Sequence, residues 1–176
     1  MTRTGTEKAP AWKVAVTGQF GAAIDMLENA IRACPDAHWS DDSTPVARQF
    51  WYLAFHTLWW LDCYLGTNEK SFRPPAPYTR DELDPAGVYP ERAYTPAELL
   101  EYLAHGRRKM RERLAALTEA EAAAPCGFER KTFSALELLI YNLRHVQHHT
   151  AQLNLLLRQK TDSAPRWVGR AKDDAS

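Results

Sequence analysis

The chain has 176 residues, 45% of them apolar and 25% charged, which is enough for one domain with a buried core. Its 22 basic and 22 acidic side chains cancel, so there is no net positive field to attract nucleic acid or an anionic membrane surface. No stretch is long and apolar enough to span a bilayer, and Met1 to Lys13 lacks the apolar core of a signal peptide.

Apolar spacing predicts four long helices. The first runs from Ala11 to Ala33, with Phe20, Ile24, Leu27 and Ile31 near helical spacing, and Cys34-Pro35 ends it. The second is expected to start at Thr44, a good N-cap followed by Pro45 at the first helical position. It continues through Tyr64 and stops at Gly66. Residues 67–94 carry Pro74, Pro75, Pro77, Pro85 and Pro90 and read as a long crossover. Its aromatics, Phe72, Tyr78, Tyr89 and Tyr94, suit packing against the helices, and it is a candidate wall for a pocket.

Thr95-Pro96-Ala97-Glu98 is a capping box with proline at the first helical position. The third helix opens there and runs to about Leu117. A short Ala/Glu-rich piece and Pro125-Cys126-Gly127 precede the fourth, which starts near Ser134 with Glu137 three residues on and continues to Gln159. The expected fold is all-α: a four-helix bundle over residues 1–160 with a long Pro-rich crossover between helices two and three. Residues 161–176 are expected to be a flexible C-terminal tail.

Cys34, Cys63 and Cys126 are odd in number and widely spaced, with no Cys-x-x-Cys pair. That fits a reducing compartment, and the chain is expected to be soluble and cytoplasmic. The basic run Arg107-Arg108-Lys109, with acidic residues around it, reads as a solvated helix face rather than a phosphate-binding patch.

Three of the six histidines fall within Arg144-His145-Val146-Gln147-His148-His149 on the fourth helix. Residues four apart differ by about 40° in direction and about 6 Å in height, so His145 and His149 can converge on one ion. On a wheel of about 100° per residue with His145 at zero, Leu138, Leu153, Leu156 and Val146 lie between about 20° and 100°. Arg144, Gln147, Ala151, Asn154 and Arg158 fall opposite, on the expected wet side. His149, near 40°, joins the apolar stripe, and His148, near 300°, lies on its border. The register therefore selects His149 over His148.

Neutral imidazoles in an apolar setting need partners, and one metal satisfies several. His56 on the second helix, with Leu53 and Trp60 on its own face, is the third candidate. His38 is assigned to a loop and His105 to an exposed face. Trp51, Phe55, Leu58 and Leu65 form a second apolar face opposite His56, and a helix apolar nearly all round is central or doubly covered. A homodimer interface is one way to cover it. Cys63, two turns from His56, reads as an inert core thiol.

The pattern is not a zincin, because Val146 stands where the catalytic glutamate of His-Glu-x-x-His belongs. No Glu-x-x-His pair builds a ferritin-like di-iron site, and no glycine-rich phosphate loop is present.

With these residues the sequence resembles the DinB/YfiT-like superfamily. Its pattern is one histidine in the second helix and a His-x-x-x-His pair in the last, commonly followed by Arg-Gly-Gln. Here His56 matches the first, and His145-Val146-Gln147-His148-His149-Thr150-Ala151-Gln152 matches the second, with Thr150-Ala151 in place of Arg-Gly. The resemblance covers residues 11–160. It implies a bundle that is often dimeric and binds one divalent ion, zinc or nickel foremost, at His56, His145 and His149. Characterised relatives include thiol-dependent transferases and a mycothiol-dependent isomerase. It thus implies a small-molecule substrate and a low-molecular-weight thiol as partners, without nucleic acid or membrane. No other residue is assigned a catalytic role. The rival reading is a non-catalytic, metal-stabilised dimeric bundle, distinguished by a closed site with four protein ligands.

Overall fold

Both expected capping boxes form. The Glu98 N–H donates to Thr95 Oγ1 at 3.2 Å while Glu98 Oε2 accepts from the Thr95 N–H at 2.7 Å. Ser134 and Glu137 repeat the arrangement at the last helix. In the computed structural model, which describes residues 9–41 and 43–171, the α-helices are α1 (Ala11–Ala33), α2 (Phe50–Tyr64), α3 (Pro96–Ala116), α4 (Glu119–Ala123) and α5 (Ala135–Thr161). The described residues contain no β-strand, only one isolated bridge between Pro125 and Ser134. The all-α bundle is the expected fold. The short α4 has its own capping box, Thr118 with Glu121, in the Ala/Glu-rich piece.

α5 packs against α1 and α2, and α3 packs against the same two helices, so α1 and α2 sit at diagonal corners. Phe20, Ile24 and Leu27 from α1, Trp59 from α2, Leu99 from α3 and Val146 from α5 meet in the core, each fully buried.

The start of α2 differs from expectation. Val46–Arg48 form a single 3-10 turn, Gln49 is extended at ψ 148, and the α-helix begins at Phe50. Two local bonds hold the break: Gln49 Nε2 donates to Thr44 O at 2.9 Å and Gln49 Oε1 accepts from Trp51 Nε1 at 2.7 Å. Thr44 spends its hydroxyl on Asp41 rather than on a helix N-terminus.

The crossover lies on α2 as a second cover. Tyr78 packs against Phe55 and stacks on Tyr102 of α3 at 4.1 Å, Phe72 meets Trp59, and Trp59 Nε1 donates to Thr79 O. Trp51, Phe55 and Leu58 are thus buried within one chain, and no second subunit is needed to cover them.

The expected solvated basic face is partly an inter-helix clamp. Arg107 pairs with Asp25 and Glu28 of α1, and Lys109 with the buried Asp62 of α2; Arg108 is exposed. His105 is half-buried, 3.4 Å from Asp62 Oδ1.

The segment after α5, expected to be a flexible tail, returns along α1. The Ala171 N–H donates to Gly18 O at 3.0 Å and Gln19 Nε2 to Gly169 O at 3.1 Å. Residues 1–8 of the region read as lacking a signal peptide, and 172–176 of the tail, lie outside the described residues. Among the described residues no helix is long and apolar enough to cross a membrane.

Candidate metal centre

His56 sits in the middle of α2 and His145 and His149 in the middle of α5, which runs antiparallel to it. The three imidazoles meet at the seam between the helices. Ring centres lie 4.5 Å apart for His145 and His149, 4.8 Å for His56 and His149, and 5.4 Å for His56 and His145. One nitrogen from each lies within 4.8 Å of the others. His148 is exposed on the outer face of α5, although its ring lies 4.9 Å from that of His149. His38 stands apart, in a 3-10 turn after α1.

The seam is an edge of the bundle rather than its centre. The buried arc of α5 holds Leu139, Asn142, Val146, Thr150, Leu153 and Leu157, centred about 100° from His145 on the wheel. The expected stripe is therefore shifted: Asn154, assigned to the wet side, is buried, and Leu156, assigned to the stripe, is half-exposed. Two neighbours cause the shift. α1 covers the far side of α5, where Gln147 reaches Met26, and α2 covers the near side. His145 and His149 line the near margin, half-buried, and the His56 side chain retains 26% of its exposure.

Each ring is held differently. His56 Nδ1 lies 2.6 Å from Glu82 Oε2, which also accepts from Trp60 Nε1 at 3.0 Å, while Glu82 Oε1 accepts from the Tyr52 hydroxyl at 2.7 Å. With three donors on one carboxylate, His56 contributes Nδ1–H and keeps the Nε2 lone pair free. Glu82 is 5% exposed. Burial pushes its carboxyl up, but the bonds from His56, Tyr52 and Trp60 outweigh this and hold it below its ordinary value.

His149 Nδ1 lies 2.7 Å from Gln152 Oε1 one turn on, which leaves its Nε2 free in the same way. His145 Nδ1 is buried without a hydrogen-bond partner, so protein packing alone does not satisfy that ring. Burial, with the neighbouring imidazoles, lowers His145 to about 3; burial likewise lowers His149 to about 4, against a Gln152 bond that raises it. Both rings are neutral near pH 7, the form that ligates metals. Two neutral imidazoles, His145 with an orphaned nitrogen and His149 anchored by Gln152, together with His56 anchored by Glu82, form a donor set suited to zinc or nickel.

Cys63 takes no part. It is fully buried, and desolvation pushes its thiol up to about 12.

Glu82 was not legible in the sequence, since it comes from a 3-10 turn, Asp81–Leu83, inside the Pro-rich crossover. Gln152 belonged to the quoted motif, and its spacing of three from His149 was the available signal for its role.

No curated protein and no solved structure matches the chain. A family model described as DinB superfamily matches residues 19–153, most of the chain and a span that includes all three histidines, Glu82 and Gln152. With two helices carrying the one-plus-two histidine pattern, and that match running through both of them, the chain belongs to the DinB superfamily.

Proposed function

We propose that this chain is a metal-dependent enzyme that binds one divalent ion, zinc or nickel, through His56, His145 and His149 and acts on a small molecule. The observation that carries the proposal is the convergence of three imidazoles at a partly open seam, with Glu82 hydrogen-bonded to Nδ1 of His56. Bound there, a divalent ion supplies Lewis acidity, lowering the proton affinity of water or a thiol and polarising a carbonyl.

The chain's own groups supply orientation. Glu82 holds the Nδ1 proton of His56, Gln152 holds that of His149, and these bonds keep both Nε2 atoms in place. Trp60 packs against His56 and Tyr64 against His145, so the seam has an aromatic wall on the α2 side. The reaction class we assign first is transfer of a low-molecular-weight thiol to a small electrophile.

The rival, a metal-stabilised non-catalytic bundle, calls for a closed site. Among the described residues the cluster holds three donors and no fourth carboxylate or thiolate, and His56 is partly open to solvent. Both favour an ion with positions free for substrate. A cytoplasmic homodimer is part of the proposal, and the sedimentation mass of the purified chain tests the dimer.

The central experiment is elemental analysis of protein purified without added metal, beside His149→Ala and His148→Ala. We expect about one ion per chain in the wild type and in His148→Ala, and loss in His149→Ala. Wild-type protein that stays metal-free after incubation with zinc and nickel overturns the proposal.

A further inference from the structure

Beyond Trp60, the seam that carries the histidines continues into an aromatic enclosure built around one lysine. Lys131, in the loop between α4 and α5, places its ammonium 4.2 Å from the centre of the Tyr141 ring, 5.2 Å from Tyr64 and 5.7 Å from Phe133. The loop is held beneath it, where the Lys131 N–H donates to Phe128 O at 2.9 Å and the Cys126 N–H to Phe133 O at 3.0 Å. No ion pair among the described residues includes Lys131.

Aromatic faces attract a cation without neutralising it. Lys131 is half-buried, and among the described residues its ammonium makes neither a hydrogen bond nor an ion pair.

The rings that hold it also touch the histidines. Tyr64 meets His145 edge to face at 6.3 Å and packs on Tyr141 at 5.4 Å. Tyr141 precedes His145 by one helical turn, about 6 Å along α5. A groove of about 570 Å³ lined by α5 alone, with Tyr141, Arg144, His145 and His148 among its residues, opens on the solvent side of that helix; Lys131, His56 and His149 do not line it. Glu82, the carboxylate at the histidine centre, is already occupied by three donors. This end of the seam thus offers an ammonium with no ion pair among the described residues, resting on a ring, Tyr64, that itself touches His145.

We propose that Lys131 is a substrate-positioning residue whose ammonium takes the carboxylate of a small anionic substrate, the other end of which reaches the His56/His145/His149 centre. This assignment rests on the reading of that centre as a metal site. It narrows the substrate class to short molecules with a metal-binding head and a carboxylate. A lysine ammonium is a compact point charge with three donors, suited to a single carboxylate oxygen pair. Partial burial makes such a pair stronger than one on the open surface.

The test uses the full chain loaded with zinc and two thiol probes that differ in the acid group: 3-mercaptopropionate and 2-mercaptoethanol. Binding is measured by calorimetry in the wild type, Lys131→Met and Lys131→Arg, with zinc content determined on each sample. Methionine keeps an apolar stem against the three rings and removes the charge; arginine keeps the charge over the rings.

We expect the wild type to bind the mercapto acid about tenfold tighter than the mercapto alcohol, the effect of one charged hydrogen bond. Lys131→Met should abolish that preference at unchanged zinc content, and Lys131→Arg should restore most of it. An equal preference in Lys131→Met, or none in the wild type, at one zinc per chain overturns the role of Lys131 and leaves the metal centre standing. Wild-type protein that takes up no zinc overturns the centre and this assignment with it.

Discussion

Glu82 lies 26 residues after His56 in sequence and accepts a hydrogen bond from its Nδ1 at 2.6 Å. The same carboxylate gathers Tyr52 from one turn before His56 and Trp60 from one turn after it. A loop residue thereby clamps three successive turns of α2 on the face that carries the candidate ligand.

Removing that clamp should loosen the metal. A carboxylate behind a histidine ligand typically contributes a factor of about 10–100 in metal affinity. We therefore expect Glu82→Gln to weaken zinc binding by about that factor, read by competition with a chromophoric chelator. An unchanged affinity would mean that Glu82 packs α2 without orienting His56.

Acid should destabilise the metal-free protein through its imidazoles. Burial, then the neighbouring rings, hold His145 near 3, and burial holds His149 near 4, against an ordinary 6.5. Below 6.5 the unfolded chain takes up protons that the folded chain refuses, so folding stability falls as pH drops toward 4. Urea midpoints of metal-free protein should decline steadily from about pH 7 to about pH 5, and His145→Phe should flatten the slope. Equal slopes in the two proteins would show that His145 protonates freely in the folded state.

Gly127 has φ +79, and a Cβ built on it would lie 2.5 Å from Thr67 O. Gly87 has φ +68 and open space around it. Gly127→Ala meets both backbone strain and a carbonyl oxygen, and should cost about 2–3 kcal/mol in thermal unfolding; Gly87→Ala should cost about 1 kcal/mol. Equal losses would show that the loop after α4 shifts readily away from the start of the crossover.

Gly21 is buried under the returning C-terminal segment, and a Cβ there would lie 2.6 Å from the Ala171 Cβ. Gly21→Leu should displace residues 164–171 while the helices stay packed. Trypsin cleavage after Arg166 and Arg170 should then accelerate relative to wild type, at an unchanged helical circular dichroism signal. Unchanged cleavage would mean that the segment gives way locally without undocking.

What the chain order alone decided was everything that depends on near neighbours. Thr95 and Ser134 find their capping partners three residues on, where helix geometry puts them regardless of the rest of the molecule. His145 and His149 share a direction for the same reason, and His148 is turned away by it. The site was readable because a helix carries its own register.

Tertiary structure decided what depends on distant partners. Thr44-Pro45 looks like a helix start in isolation, yet the Trp51 N–H is taken by Trp39 O at 3.1 Å, from the turn after α1, and the helix begins only at Phe50. Glu82 lies in a Pro-rich stretch with no period, and only the path of the crossover over α2 brings it to His56. The wheel of α5 gave directions relative to its own axis; where α1 and α2 stand around that axis set which direction is inside. Because those two helices centre the buried arc of α5 about 100° from His145, its histidines lie at the margin of that arc, on a partly open seam, and an open seam is what the proposed metal centre needs to meet a substrate.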